Sequence, residues 1–282
     1  EGNFMKKQLV QNLFMLLVLF LFLAGLPLIS YGVQSESPGK KYTSGPYGYT
    51  TTSLTGYSAG ATIYIPRTGT PPYSGIVFMQ PYTGTQAMDA AWGPFFASHG
   101  IIYVNCDSMT TLDTVDSRAT QQMNAVSILK SSSKVKGKLD TSRVGVMGWS
   151  MGGGASWINS SKSGVKTAMT LAGHNLTAVS TASKGYSTRC PTAIFSGSLD
   201  TTYLGGLGQS EGVYAAIPRS VSKLHYKVAT AGHMVWGGPT TASVNVGAIG
   251  LAFQKTYLDG DTRWKAYITR PADAAIWTTN LR

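Results

Sequence analysis

Short apolar segments of strand length alternate along the chain with longer segments of helical character. The segments that predict strands are 75–80, 101–106, 144–148, 166–171, 192–197 and 223–229. The segments that predict helices are 88–98, 117–131, 151–161, 209–217 and 244–258. Strands that alternate with helices predict an α/β fold, in which a mostly parallel central sheet carries helices on both faces.

The chain before this alternation has a different pattern. Residues 47–54 and 61–66 predict a hairpin of two early strands, and residues 31–46 are polar and rich in Ser, Gly and Pro, as is typical of a linker. The chain has 282 residues and a hydrophobic content of 43%, which is ample for one large core. We therefore expect residues 47–282 to form a single domain, with its ligand site beyond the carboxyl ends of the strands.

The amino-terminal residues predict an export signal. Two lysines precede the apolar run 13–24, which is short for a bilayer span and is followed at once by Gly25 and Pro27. We expect residues 1–30 to be a cleaved signal peptide with a short extension before Met5. The mature protein is then secreted, extracellular or periplasmic, without stable membrane association. An uncleaved membrane anchor is the alternative.

The charge of the chain indicates little about its partners. Lys and Arg number 23 against 12 Asp and Glu, which gives a formal net charge of +11. The basic residues are scattered rather than clustered, and no nucleic-acid-binding module is visible. We therefore expect a solvated cationic surface, no nucleic-acid partner and a monomeric protein.

The two cysteines lie at opposite ends of predicted strands. Cys106 closes the strand 101–106, whereas Cys190 precedes the strand 192–197, so a parallel sheet separates them by about 15–20 Å. A disulfide requires Cα atoms within about 7 Å of each other. Although export permits disulfides, we expect two free, buried thiols.

One serine has the context of a catalytic nucleophile. The pattern G-x-S-x-G occurs around Ser58, Ser150 and Ser210, and it is weak by itself in a chain with 33 glycines. Only Ser150 follows an apolar strand and precedes a run of small residues, which is the strand–turn–helix context of a nucleophile elbow. This context predicts an α/β-hydrolase fold with Ser150 as the nucleophile.

A serine hydroxyl needs a histidine base and a carboxylate that orients the histidine. In this fold the acid follows the serine, and the histidine follows the acid. The acidic residues between 151 and 232 are Asp200, which ends a strand at the expected edge, and Glu211, which lies in a predicted helix. His233 lies on the loop after the last strand, whereas His225 lies inside that strand. We therefore predict Asp200 as the acid and His233 as the base.

Two backbone N–H groups are expected to stabilise a tetrahedral intermediate. Met151, the residue after the nucleophile, supplies one of them. The loop after the strand 75–80 supplies the other, and Tyr82 is the expected donor because Pro81 has no N–H. The Tyr82 ring can at the same time pack on the loop.

Several further motifs resemble those of the bacterial cutinase and polyester hydrolase family, which includes the poly(ethylene terephthalate) hydrolases. The resemblance covers about residues 48–264, and it implies the same triad and the same oxyanion donors. Its motifs are Pro81-Tyr82-Thr83, Trp92-Gly93-Pro94, Ala97-Ser98-His99-Gly100, Thr111-Leu112-Asp113, Asp116-Ser117-Arg118, Val144 to Gly154 and Asp259-Gly260-Asp261-Thr262-Arg263.

The chain departs from this family in a segment that is expected to border the substrate. Where the family usually has a tryptophan, after the strand that follows the elbow, this chain has His174, which offers an aromatic ester less stacking area. Strand capping is the alternative role for His174. Trp236 is expected either to line the cleft or to pack locally. The expected substrate contacts are Tyr82, Met151, His174 and Trp236.

These features together predict a serine hydrolase of polyesters, cutin-like esters and short-chain carboxylic esters that acts through an acyl-serine intermediate. We expect no metal and no organic cofactor, because the triad and the oxyanion donors supply the chemistry. A general carboxylesterase, a lipase and an acyltransferase are the alternative enzymes. A non-catalytic surface-binding protein on the same scaffold is the alternative from another class.

Overall fold

A computed structural model describes residues 36–174, 185, 187–201 and 209–282. The predicted signal peptide, 1–30, and residues 31–35 of the predicted linker lie outside the described residues. All described residues belong to one compact unit. None of the helices described there has both the length and the apolar character that a membrane span requires.

The described residues form one mostly parallel sheet. Strands β1 to β9 are Tyr49–Ser53, Ala61–Pro66, Tyr73–Met79, Ile101–Cys106, Leu139–Trp149, Ala168–Leu171, Thr192–Gly197, Lys223–Val228 and Ala274–Asn280. Their order across this part of the chain is β1-β2-β4-β3-β5-β6-β7-β8-β9. The pairs β1–β2, β2–β4 and β8–β9 are antiparallel, and the others are parallel. The prediction of a mostly parallel sheet is confirmed.

Helices cover both faces of this sheet. Helices α1 to α5 are Trp92–Ser98, Val115–Ser131, Met151–Asn159, Gln209–Ala216 and Val244–Tyr257. Consecutive residues of β3 belong to two separate apolar clusters, because Phe78 packs in the cluster of α1 and α5, whereas Val77 packs in the cluster of α2. Side chains alternate across a strand, so the two clusters lie on opposite faces of the sheet.

Some element bounds differ from the sequence prediction. The sequence pattern does not predict β9, because most of its side chains are half-buried or exposed and do not alternate regularly. Helix α1 begins at Trp92 rather than at residue 88, because Gln86–Met88 forms a separate 3-10 turn. Strand β5 begins at Leu139, five residues before its predicted start.

The two cysteines lie as the strand positions predict. Cys106 is the last residue of β4, and Cys190 lies just before β7. Both thiols are free and buried. They pack in the same apolar cluster.

Parallel strands bring their carboxyl ends to one edge of the sheet, where ligand sites in such folds form. The segments that carry the predicted site residues follow β3, β5, β6, β7 and β8. Five chain segments therefore meet at this edge.

Candidate active site

Ser150 occupies a sharp turn between β5 and α3. Its backbone has φ 54° and ψ −117°, a conformation that L-residues rarely adopt and that is typical of a nucleophile elbow. The Ser150 N–H donates to the Leu171 carbonyl at 2.9 Å, and the Ser150 carbonyl accepts from the Gly154 and His174 N–H groups at 2.9 and 2.8 Å. Hydrogen bonds to two neighbouring segments thus hold the strained residue.

The glycine at position 152 allows the elbow to approach β3. A Cβ atom on Gly152 would lie 2.0 Å from the Met79 carbonyl oxygen and 2.6 Å from the Gln80 carbonyl oxygen. These are backbone atoms of β3 and of the residue that follows it, so they cannot move aside as a flexible side chain does. The first turn of α3 therefore packs directly on the end of β3.

We expect Gly152→Ala to destabilise the folded chain by about 2 kcal/mol or more, the usual scale of an overpacked core. Helix propensity alone predicts the opposite sign, a gain of up to about 1 kcal/mol. Urea unfolding followed by circular dichroism distinguishes the two. Gly39→Ala is the control, because the nearest atoms to its added Cβ belong to the Lys41 side chain, at 3.4 Å or more. Equal midpoints for both variants would contradict the steric argument.

Three side chains predicted from chain order lie in hydrogen-bond contact. Ser150 Oγ lies 2.8 Å from His233 Nε2, and His233 Nδ1 lies 2.8 Å from Asp200 Oδ2. An ionised carboxylate only accepts hydrogen bonds, so it requires a proton on Nδ1 and leaves Nε2 as the acceptor for the serine hydroxyl. This is the tautomer that a general base needs.

The loops that carry the acid and the histidine are bound to each other and to the elbow. The Ser198 N–H donates to the Val228 carbonyl at 2.9 Å, and the Leu199 N–H donates to the Ala231 carbonyl at 3.0 Å. Trp149 Nε1, next to the nucleophile, donates to the His233 carbonyl at 3.0 Å. Trp149 is a functional residue that the sequence predictions missed, although its place in the elbow motif is a signal that could have found it.

The alternative residues weighed from the sequence do not line the cleft above Ser150. Ser58 lies in a turn before β2, and Ser210 is buried in the first turn of α4. His225 is buried in β8, where its Nε2 lies 2.8 Å from Ser196 Oγ. Burial lowers the pKa of His225 to about 4, so its ring is neutral at pH 7. Glu211 forms an ion pair with Lys227 at 2.6 Å.

The backbone N–H groups predicted as oxyanion donors have no partner in the described part of the chain. Neither the Tyr82 N–H nor the Met151 N–H donates a hydrogen bond there, whereas the next N–H along the loop, that of Thr83, donates to the Thr111 carbonyl at 2.8 Å. Both residues line the cleft above Ser150. Their arrangement can bind a negatively charged oxygen.

A buried arginine holds the loop that carries Tyr82. Arg118 Nη1 donates to the Gln80 carbonyl at 3.1 Å, and Nη2 donates to the Thr111 carbonyl at 2.9 Å. Thr111 also receives the Thr83 N–H. Desolvation lowers the pKa of Arg118, but a guanidinium keeps its charge in proteins. One cation thus links β3, the Tyr82 loop and the segment before α2.

A cleft of about 420 Å³ opens above the three contacting side chains. Leu112, Met234 and Tyr82 stand at its border with relative exposures of 63%, 66% and 48%. The residues that line it are Pro81, Tyr82, Thr83, Leu112, Asp113, Thr114, Trp149, Ser150, Met151, His174, His233 and Met234. Leu112 and Met234 are not among the substrate contacts expected from the sequence.

The two remaining predicted contacts differ in position. His174 lines the cleft, and its ring stands edge-on to His233 with centroids 6.4 Å apart. Trp236 does not line it: its side chain is fully buried, its Nε1 donates to the Gly232 carbonyl, and its own carbonyl accepts from Trp92 Nε1 at 2.9 Å. Of the two roles expected for Trp236, its burial favours local packing over a place on the cleft wall.

Among the described residues, no group of three or more His, Cys, Asp or Glu side chains is arranged to hold a metal ion. The chemistry that this site can perform with its own residues is nucleophilic attack by Ser150 and proton transfer through His233.

The chain is similar to one protein family and to several known enzymes. A family model described as "PETase: PET hydrolase-like" matches residues 36–281. The chain is 34% identical over 234 residues to "Cutinase 2" of Thermobifida cellulosilytica, which covers 80% of this chain and 85% of that protein. It is 34% identical to "Cutinase cut1" of Thermobifida fusca, with coverages of 80% and 70%. It is 29% identical over 231 residues to "Bis(hydroxyethyl) terephthalate hydrolase" of Streptomyces coelicolor, with coverages of 79% and 71%.

Proposed function

This chain belongs to the PET hydrolase-like family, and from that premise we propose that it is a secreted serine hydrolase of carboxylic esters, including polyesters, that acts through an acyl-serine intermediate. The observation that carries the proposal is the contact of Ser150 Oγ with His233 Nε2 at 2.8 Å, beneath a cleft bordered by two backbone N–H groups that have no partner among the described residues. Nucleophile, base and oxyanion donors are the parts that acyl transfer needs.

The first half of the reaction acylates the serine. Ser150 Oγ attacks the ester carbonyl carbon while His233 Nε2 takes the hydroxyl proton. The carbonyl electron pair moves to oxygen, and the N–H groups of Tyr82 and Met151 donate hydrogen bonds to the resulting oxyanion. Collapse breaks the bond to the alcohol oxygen, which leaves with the proton from His233. The products are acyl-Ser150 and a free alcohol.

The second half hydrolyses the acyl-enzyme with one water molecule. His233 takes a proton from the water, whose oxygen attacks the acyl carbon and forms a second oxyanion at the same two N–H groups. Collapse then breaks the bond to Ser150 Oγ, which takes its proton back from His233. The sum is ester plus water giving acid plus alcohol, with the enzyme restored.

The cleft supports polyesters and other apolar esters as the substrate class. Its border carries the exposed side chains of Leu112, Met234 and Tyr82, which can cover apolar segments on either side of an ester group. Relatives of this chain carry the names cutinase and bis(hydroxyethyl) terephthalate hydrolase. His174 on the cleft wall offers an aromatic acyl group less stacking area than a tryptophan does.

The proposal includes export and a monomeric mature protein. The pattern of residues 1–30, two lysines followed by a short apolar run, supports a cleaved signal peptide. Expression of the full chain in a bacterial host, followed by amino-terminal sequencing and light scattering of the exported protein, tests both statements. A monomer that begins near residue 31 is expected, and retention of the apolar run would contradict cleavage.

The direct test of the mechanism is covalent labelling. A serine-reactive phosphonate is expected to add one label per chain, on the peptide that contains Ser150. A panel of p-nitrophenyl esters of graded acyl length, beside an insoluble polyester, then defines the substrate range, with Ser150→Ala as the blank. Labelling at another residue would overturn the assignment, and activity confined to short soluble esters would favour a general carboxylesterase.

A further inference from the structure

Three polar side chains form a buried cluster beneath the loop that carries Tyr82. Gln80 Nε2 donates to Asn105 Oδ1 at 2.6 Å and to Asp89 Oδ1 at 3.2 Å, and Asn105 Nδ2 donates to the same Asp89 oxygen at 2.9 Å. The three side chains are at most 1% exposed. We call Gln80, Asp89 and Asn105 the amide–carboxylate cluster. It joins the end of β3, the end of β4 and the turn before α1.

The place of Gln80 connects this cluster to both proposed oxyanion donors. Gln80 lies two residues before Tyr82, and its carbonyl accepts the hydrogen bond from Arg118. The same carbonyl oxygen lies against Gly152, which is next to Met151 in the first turn of α3. A shift of Gln80 therefore displaces the Tyr82 N–H relative to the Met151 N–H.

Asp89 is the member of the cluster whose charge can change near neutral pH. Burial raises the pKa of its carboxyl to about 7, although the hydrogen bonds from Gln80 and Asn105 favour the ionised form and lower that pKa. The titratable groups that face it are Asp107, Tyr64, Tyr103 and Cys106. Coulombic repulsion from Asp107 also raises the pKa of Asp89. Within the described residues, no donor reaches Asp89 Oδ2.

A buried carboxylate with amide partners contributes less to stability than apolar side chains of the same volume would. Apolar side chains of similar volume avoid the desolvation of a carboxylate, whereas a hydrogen-bonded carboxylate restricts its partners to one geometry. Hydrogen bonds to an ionised acceptor are shorter and about twice as strong as neutral ones. The restricted partner here is Gln80, at the base of the Tyr82 loop.

We propose that Asp89 is a positioning residue for the Tyr82 oxyanion donor, and that it acts through Gln80 and Asn105. This inference rests on the proposed function, because it assigns Tyr82 N–H the task of binding the oxyanion. The ionised carboxylate holds Gln80 most firmly, and the neutral form holds it less firmly. Catalysis at the cleft is thereby linked to the charge of a side chain that does not contact substrate.

The kinetic test is a double-mutant cycle. Asp89→Asn keeps the shape of the side chain and removes its charge, and Gln80→Met removes the link to the loop. Loss of an oxyanion donor costs about 100- to 1,000-fold in kcat, and displacement of a donor costs less. We expect each single variant to lower kcat for a p-nitrophenyl ester at pH 8 about tenfold, with KM unchanged within about twofold, and the double variant to lose no more than either single one.

A merely structural role for Asp89 predicts different results. It predicts additive losses in the cycle, or a kcat for Asp89→Asn within twofold of the wild type, and either result would overturn the proposal. Thr167→Val is the matched control, since Thr167 Oγ1 donates to Gln254 Oε1 at 2.7 Å in a buried pair just before the amino end of β6, away from the carboxyl ends of the strands. It is expected to lower the unfolding midpoint and to leave kcat unchanged. If Asp89→Asn does not fold, Gln80→Met alone tests the proposal. An unchanged kcat for Gln80→Met would show that Gln80 does not position the Tyr82 N–H, and would overturn the proposal.

A second readout requires no turnover. The Tyr82 amide resonance in an ¹H–¹⁵N spectrum of the wild type is expected to titrate with a midpoint near pH 7, and this titration is absent from Asp89→Asn, in which His233 is retained. An identical Tyr82 titration in both proteins would overturn the proposal. If the wild type cleaves no ester, the proposed function fails, while the amide titration still decides whether Asp89 controls the Tyr82 loop.

Discussion

Ser150→Ala is expected to lower kcat for a soluble p-nitrophenyl ester by about 10⁶-fold, the loss seen when the nucleophile of a serine triad is removed. Alanine leaves the oxyanion donors and the cleft intact but has no oxygen to attack the carbonyl carbon. His233 and Asp200 then have no hydroxyl to activate, although their 2.8 Å contact remains. Residual hydrolysis reflects binding and the oxyanion site alone.

The controls for this prediction come from the chain itself. Ser58→Ala changes a serine with the same G-x-S-x-G pattern but with a strand rather than a helix after it, and we expect its kcat to equal that of the wild type. The variant His233→Ala is expected to lose about as much as Ser150→Ala, and the double variant no more, because the two residues act as a unit. A Ser150→Ala protein with more than a hundredth of wild-type turnover would exclude Ser150 as the nucleophile.

Asp200→Asn is expected to lower kcat about 10⁴-fold with little change in stability, as substitution of the acid in a serine triad does. The asparagine side chain can present its NH₂ group to His233 Nδ1, which then accepts this hydrogen bond. The ring proton of His233 is then on Nε2 instead of Nδ1. In this tautomer Nε2 faces the serine hydroxyl with a proton of its own and cannot act as the base. The loss therefore arises from the tautomer, although the side chains keep their positions.

Two measurements separate this explanation from a general loss of structure. The unfolding midpoint of Asp200→Asn is expected to lie close to that of the wild type, and phosphonate labelling of Ser150 is expected to slow in parallel with kcat. Glu211→Gln is the matched control, because Glu211 is the other acidic residue between the serine and the histidine, and it pairs with Lys227 instead. A greater loss for Glu211→Gln than for Asp200→Asn would reassign the acid.

The central elements could be predicted because their sequence signals are local. The strands around 101–106 and 192–197 are apolar, of strand length and bounded by turns, and the structure has both at the same residues. The edge strand β9 could not be predicted, because it is partly exposed and its pairing with β8 depends on a chain segment about fifty residues away. An edge strand of this kind forms because it pairs with the adjacent strand, and its own residues show little hydrophobic periodicity.

The lining of the cleft was less accessible to sequence reasoning than the three contacting side chains. Met234 and Trp236 are close along the chain, yet Met234 is exposed at the cleft and Trp236 is buried against α1. Leu112 comes to the cleft from the segment between β4 and α2, and the motif Thr111-Leu112-Asp113 there does not indicate which of its side chains faces a ligand. Whether the side chain of a loop residue is exposed or buried depends on the elements that the loop packs against.

Strand periodicity and chain order are properties of the chain, so the α/β class, the elbow at Ser150 and the order of the acid and the histidine after it could be inferred from the residues alone. The burial of Trp236, the bond from Trp149 to the histidine loop, and the meeting of Gln80, Asp89 and Asn105 beneath Tyr82 are visible only in the folded chain. Most of these contacts join segments that are distant in sequence. Their hydrogen bonds form only after parallel strands have brought the segments to one edge of the sheet.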